Sequence, residues 1–373
     1  MSSEVIKEIE SQLATVSDPE LHRPITELRM VEQIEFSAGT AKISILLTIS
    51  GCPMRDRLTK DVTAAALKVP QVTSVEIQFG VMNDEQRDFV KKLIRGGREK
   101  FIPFAQPDSL TRVIGIASGK GGVGKSSVTV NLAVALAMRG FKVGLLDSDV
   151  YGHSIPRALG VEGKRPTAID QTFIPIESYG VKTVSIEMFK PDRADPVAYR
   201  GPLLHRVLEQ LLSDAYWGDL DFLLLDLPPG TGDIAISLGQ LIPNSEIIVV
   251  TTPQVAAAEV AERAGRIAHQ LKQQLIGVIE NMSPYEDSGR VISLFGEGGG
   301  EETAKRLSNL VGADVPLLGK IPFDITLREG GDTGHPVVHE APESPAAKEV
   351  AKVIDQLLVR KKSLVGVHLG LST

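Results

Sequence analysis

Residues 119–126 read Gly-Lys-Gly-Gly-Val-Gly-Lys-Ser. The stretch fits the phosphate-binding loop pattern Gly-x4-Gly-Lys-Ser/Thr. Its surroundings agree. An apolar strand, Val-Ile-Gly-Ile-Ala at 113–117, precedes it, and an amphipathic helix is expected near 126–139. Glycines let consecutive backbone N–H groups curl around phosphate oxygens. A helix that opens at Lys125 adds the positive end of its dipole. In such a loop Lys125 bridges the β- and γ-phosphates, and the Ser126 hydroxyl binds Mg²⁺. The expected nucleotide-binding residues are Gly119, Lys120, Gly121, Gly122, Val123, Gly124, Lys125, Ser126 and Ser127.

Two acidic sites complete a hydrolytic centre. The run Leu-Leu-Asp-Ser-Asp at 145–149 ends a strand with Asp147 and Asp149 two residues apart. The apolar run 222–225 ends in Asp226. A carboxylate at the C-terminal edge of a strand is the usual partner of phosphate-bound Mg²⁺. Asp147 is expected to support the Mg²⁺ shell. The stretch Pro-Pro-Gly-Thr-Gly-Asp at 228–233 is stiff and then flexible, a composition suited to switching on hydrolysis.

Further strands are expected at 143–146, 247–251, 275–279 and 317–321, and helices at 203–212, 255–274 and 346–360. Short apolar strands alternating with longer helices argue an α/β fold with a mainly parallel sheet covered on both faces. Residues 1–95 read as a separate, small α/β domain. Val5, Ile6, Ile9 and Leu13 repeat at helical spacing. Strands are expected at 25–36, 40–49 and 72–79, with a helix at 55–68, and the apolar run 43–49 implies burial on both faces of its strand. Residues 96–110 hold Gly96, Gly97, Pro103, Pro107 and Asp108, the composition of a linker, and leave 111–373 as the phosphate-binding domain.

Composition narrows the function classes. With 42% hydrophobic and 23% charged residues in 373, the chain is neither mainly disordered nor collagen-like nor a coiled coil. A net charge of −7 supplies no basic field for nucleic acid, so no nucleic-acid partner is expected. The first ten residues lack an apolar signal core, and no apolar run is long enough to span a bilayer, so no membrane partner is expected and the default location is the cytoplasm. The single cysteine, Cys52, excludes an intrachain disulfide and any metal site built of cysteines from one chain. His335 and His339 have i, i+4 spacing, but Pro336 lies between them and no other ligand accompanies them. Trp217 reads as a packing residue.

The extra lysine at the start of the loop, Lys120, gives Lys-Gly-Gly-x-Gly-Lys-Ser/Thr, which resembles the deviant Walker A ATPases. By that resemblance Lys120 reaches across a homodimer to the partner's nucleotide, and Asp149 orients the attacking water. A narrower match follows from Asp-Leu-Pro-Pro-Gly-Thr-Gly-Asp at 226–233, Arg-Gly-Pro at 200–202, Asp-Val-Tyr-Gly at 149–152, Thr-Thr-Pro-Gln at 251–254 and Glu-Asn-Met at 280–282. The glycine triplet at 298–300 and Gly-Lys-Ile-Pro at 319–322 belong to the same set. Together they resemble the Mrp-type ATP-binding iron–sulfur cluster carriers, across most of residues 111–360.

In that branch the positions of Asn281 and Pro322 border the adenine. Asp-Pro-Glu at 18–20 and Gly-Cys-Pro at 51–53 resemble the small iron–sulfur maturation domain that often precedes these ATPases. The resemblance implies ATP and Mg²⁺ as ligands, slow hydrolysis, a homodimer, and an iron–sulfur donor and apo-protein clients as partners. It breaks at one place. The Cys-x-x-Cys pair expected after the Asn-Met is absent, and Ser283 to Arg290 contain no thiol. Cys52 is then either a small residue packed under a turn or the one thiolate able to meet an iron–sulfur cluster. The alternative to a carrier is a nucleotide-switched binding or localisation ATPase that carries no cluster.

Overall fold

The computed structural model describes residues 2–19, 21, 23–48, 55–94, 101–106, 108–149, 152, 154–169, 172–190 and 201–359. The chain forms two compact units. The first is Met1–Phe101 with two short excursions of the later chain, Thr167–Ile174 and Asp214–Tyr216; the second is the remainder. No linear division of the sequence conveys those two excursions.

In the first unit, α1 (Ser2–Leu13) buries Val5, Ile9 and Leu13, the stripe its spacing predicts. Strands β1 (Val31–Ser37) and β2 (Thr40–Leu47) pair antiparallel across Ala38 and Gly39, both at positive φ. Helix α2 (Arg55–Ala66) then carries the chain to β3 (Ser74–Val81), parallel to β2, and α3 (Asp84–Ile94) follows. The expected strand at 25–36 is shorter. Ile25, Leu28 and Met30 are buried, but residues 25–30 make turns, with Leu28 N donating to Pro24 O and Met30 N to Ile25 O. Their near-helical spacing, not alternation, brings them to one side. The run 43–49 behaves as expected only in part: Ser44 is half-buried, and unbroken burial holds for Ile45 to Thr48.

The second unit opens with β4 (Arg112–Ser118), α4 (Lys125–Met138), β5 (Val143–Asp147) and the short α5 (Ile155–Ala158). A hairpin of β6 (Thr167–Ile169) and β7 (Thr172–Ile174) belongs to the first unit, after which β8 (Ile176–Ser178) and β9 (Val181–Ser185) return to the second. Then come α6 (Gly201–Ser213), β10 (Phe222–Asp226), α7 (Asp233–Leu241), β11 (Glu246–Thr251), α8 (Val255–Gln270) and β12 (Gln274–Ser283). The hairpin β13 (Tyr285–Asp287) and β14 (Arg290–Ile292) precedes α9 (Gly299–Val311), β15 (Leu317–Pro322), α10 (Ile325–Thr333), α11 (Val337–Glu340) and α12 (Pro345–Val359).

Eight strands form one sheet in the order β15-β12-β11-β4-β10-β5-β9-β8, parallel except for the edge pair β8 and β9. This is the α/β fold with a mainly parallel sheet, and the small α/β unit precedes it. The chain leaves β4 in one direction toward β10 and β5 and in the other toward β11, so the crevice at its C-terminal end lies where the winding reverses. Ile114, Leu145, Leu224 and Val250, from four strands, share one core with α4.

Helix α4 corrects an expectation. It is not amphipathic: Val128 to Leu136 are buried without interruption. The sheet covers one side and α11 and α12 the other, so no face remains for water. Helix α8 also stops earlier than expected, at Gln270. Lys272 adopts φ +60° and Gln273 N donates to Ala268 O, a left-handed exit that feeds β12. Trp217 is packing, as expected: it is buried edge-on to Phe104 and donates Nε1–H to Leu211 O.

Candidate nucleotide site

The phosphate loop lies between the end of β4 and the start of α4. Gly124 is the residue before the helix, in the left-handed conformation (φ +77°), and no side chain caps the first turn. The leading N–H groups of α4 therefore keep their capacity for an anion. A Cβ at Gly124 would collide with the amide of Asn281. At Gly119 the demand for glycine has another source, which the motif does not announce. A Cβ there would overlap the carbonyl of Val260 and the amide nitrogen of Ala261, so the loop begins pressed against the backbone of α8.

Asp226, last in β10, is fully buried and gathers the site. Lys125 Nζ lies 2.7 Å from its Oδ2, and Ser126 Oγ donates to the same oxygen at 2.6 Å. Thr129 Oγ1 donates to its other oxygen, Oδ1, at 2.8 Å. Thr129 was not evident from the motif; its only signal is that it falls one helical turn after Lys125. Ser148 Oγ donates to the backbone carbonyl of Asp226 at 2.6 Å, tying the β5 exit to β10. Strand register places Asp147 beside Asp226 and Ile116 on the other side.

The two acids at the end of β5 differ. Asp149 approaches Lys125 at 4.0 Å and accepts from Gly152 N. Asp147 accepts from Ser185 Oγ at 2.9 Å and from Asp149 N at 3.2 Å. Those contacts tie it to the Asp149 turn and to β9. Burial, reinforced by the charge of Asp226, pushes its carboxyl well above the usual range. Between the unfolded value near 3.8 and its raised folded value, the native state binds more protons than the unfolded chain, and stability falls as pH rises. Asp147→Asn is expected to be the more stable protein at about pH 8, with a smaller loss between about pH 5 and pH 8. Urea midpoints in EDTA at both values check this; a lower midpoint for the variant at the higher pH would overturn it.

Lys120 points elsewhere than its neighbour. Its Nζ donates to Gln254 Oε1 at 2.9 Å. The loop after Asp226 is anchored to the phosphate loop's own strand, since Gly230 N donates to Ser118 O.

A cavity of about 410 Å³ adjoins the loop, lined by Gly124, Ser126, Ser127, Asn281, Pro322 and Phe323 among others. Asn281 reaches it through an irregularity. Register between β12 and β15 shifts between Asn281 and Ser283, and Met282 sits at φ +59°. Asn281 Nδ2 donates to Val123 O at 2.9 Å. Its Oδ1 is buried with no hydrogen-bond partner. The amide orientation is fixed by the carbonyl it faces, which leaves the buried oxygen as the unpaired acceptor.

Residues 109–358 match the family described as NUBPL iron-transfer P-loop NTPase, and residues 6–78 match the iron–sulfur cluster assembly protein family. The chain belongs to the iron–sulfur cluster carrier family of P-loop NTPases. An iron–sulfur cluster carrier protein of Mycobacterium leprae is 55% identical over 366 residues, covering 97% of this chain and 95% of the relative. One from Deinococcus radiodurans is 40% identical over 344 residues, 91% of each chain. Among solved structures, a nucleotide-binding protein from Archaeoglobus fulgidus in complex with ADP is similar at 34% identity and a TM-score of 0.53, covering 66% of this chain and 96% of that one.

The chain has one cysteine. Cys52 lies outside the described residues, as do the cationic stretch 360–362 and the tail after it. Among the described residues no group of three His, Cys, Asp or Glu side chains is arranged to hold a metal ion, His335 and His339 included. No described helix is long and apolar enough to cross a membrane.

Proposed function

We propose that this carrier-family chain binds MgATP at the loop 119–126, hydrolyses it slowly as a homodimer, and uses the cycle in iron–sulfur cluster carriage or assembly. The observation that carries the reading is the convergence of Lys125 and Ser126 on buried Asp226, next to a cavity lined by Gly124, Ser126 and Asn281. Backbone N–H groups from Gly119 to Ser127 and the Lys125 ammonium bind the phosphates. The Ser126 hydroxyl and Asp226 carboxylate are hard oxygen donors of the type Mg²⁺ takes. When bound, Mg²⁺ neutralises charge on the β- and γ-phosphates. Asp149, steadied by Asp147, orients the attacking water, and Lys120 of a second copy offsets charge on the transferring group. Gly230, tied to Ser118, lets the 228–233 loop respond to what the phosphate loop holds.

Asn281 and the Pro322 segment select the base. Adenine presents an amino group to the Asn281 acceptor, whereas guanine presents an oxygen that leaves it unsatisfied. An unsatisfied buried acceptor costs about 1–3 kcal/mol, so ATP is expected to bind about tenfold to a hundredfold tighter than GTP. Asn281→Ala shrinks that ratio toward one. Titration calorimetry with both nucleotides tests this, and equal affinities in the wild type would refute the assignment.

The cluster is cargo, and Cys52 is the only thiol this chain offers it. A dimer supplies two thiolates, so the remaining iron positions fall to a client or a small thiol. Anaerobic reconstitution is expected to give iron and visible absorbance in the wild type and neither in Cys52→Ala. The single cysteine also favours the second reading, a nucleotide-switched ATPase without cargo. Absence of a cluster from both proteins would establish that second reading in place of the first.

A further inference from the structure

The lysine that the proposed mechanism sends to a second subunit is already engaged within its own. Lys120 Nζ donates to Gln254 Oε1 at 2.9 Å at a solvent-exposed site. Gln254 is the residue before α8, with extended backbone (φ −66°, ψ 120°), and its side chain makes no capping bond to that helix. The contact is not a chance meeting of two long side chains, because the backbones beneath it are fixed. Gly119 is pressed on the α8 backbone at Val260 and Ala261, and β11 pairs with β4 so that Val250 stands opposite Ser118. Lys120 and Gln254 leave these two locked segments within four residues of the pairing.

We propose that Gln254 is a positioning residue that holds Lys120 in cis and hands it over when a second copy of this chain presents a bound triphosphate. The inference rests on the reading that Lys120 acts across a dimer. The residue type suits the task. A neutral amide oxygen in water holds an ammonium weakly, and phosphate oxygens carrying full charge displace it. A carboxylate at the same place would add an ion pair and compete with the incoming phosphates. Glutamine therefore keeps the lysine extended and pointed without trapping it.

The test is a double-mutant cycle on nucleotide-driven assembly. Sedimentation velocity with ATPγS and Mg²⁺ gives the dimer dissociation constant, and phosphate release against protein concentration gives turnover. Gln254→Ala is expected to tighten the dimer about two- to tenfold, the worth of one such hydrogen bond, and Gln254→Glu to loosen it by a similar factor. The loosening should shrink in high salt. Both shifts should vanish when Lys120 is already alanine. Shifts that persist in the Lys120→Ala background would show that Gln254 acts on the α8 entrance alone, and identical dimerisation in all three Gln254 forms would remove the latch. If Lys120→Ala instead leaves dimerisation and turnover at wild-type values, the cross-subunit reading itself fails, and the latch with it.

Discussion

Lys125→Ala is expected to lower ATP turnover by at least about a hundredfold to a thousandfold, the usual loss when a charge aimed at the transition state is removed. The reason is local. Lys125 is nearly fully buried and its ammonium is the cation held 2.7 Å from Asp226 and 4.0 Å from Asp149. Its removal takes away the partner of the phosphates and leaves the carboxylates of Asp149 and Asp226 without this cation. Breaking a buried pair by deleting one member costs about 3–5 kcal/mol, so the variant is also less stable. Steady-state phosphate release at temperatures well below the variant's own melting point separates the two effects. Wild-type turnover in a folded Lys125→Ala protein would remove the site assignment.

Gly119→Ala is expected to cost about 3 kcal/mol or more of stability, beyond the common range for a single added methyl group in a core. The added Cβ meets the carbonyl of Val260 and the amide of Ala261, both backbone atoms inside α8, which no rotamer change can move. Gly121→Ala is the control. Its nearest neighbour would be Pro229 Cγ at 3.9 Å, an ordinary contact. Urea midpoints for the two variants should differ widely, and equal midpoints would mean that α8 yields where the packing says it cannot.

These two glycines show how far a motif carries. The pattern at 119–126 requires glycine at 119, 121, 122 and 124 without saying why, and the reasons differ. Gly124 needs a left-handed backbone and room for Asn281; Gly119 needs the absence of a side chain against a helix more than 130 residues later in the chain. Apolar runs locate β4, β5, β10, β11 and β15 within a residue at each end, whereas β12 runs on to Ser283, four residues past its expected end, and β9 (Val181–Ser185) is not among the expected strands. The strands of three residues in β6, β7, β8, β13 and β14 escaped notice, since so short a segment has no period to read. Residues 25–30 were mistaken for strand because burial in consecutive turns mimics apolar β sequence. Helix α4 is not amphipathic even in sequence, since residues 128–138 are apolar except for Thr129 and Asn131, and α11 and α12 cover the side that the sheet leaves.

The sequence by itself determined the phosphate loop, most strands of the parallel sheet, and the family, since these depend on residue types at short, fixed spacing. It also determined that a single thiol is available, which is composition alone. Tertiary structure decided what the charged and polar groups do. Register between β5 and β10 put Asp147 beside Asp226, whose charge adds to burial in raising its pKa, and an irregularity in β12 accompanies the turn of Asn281 to the cavity. The packing of α8 on the loop gave Lys120 its partner in Gln254. Such roles depend on distances of a few ångströms between residues far apart in the chain, and local sequence holds no record of those distances until the sheet is assembled.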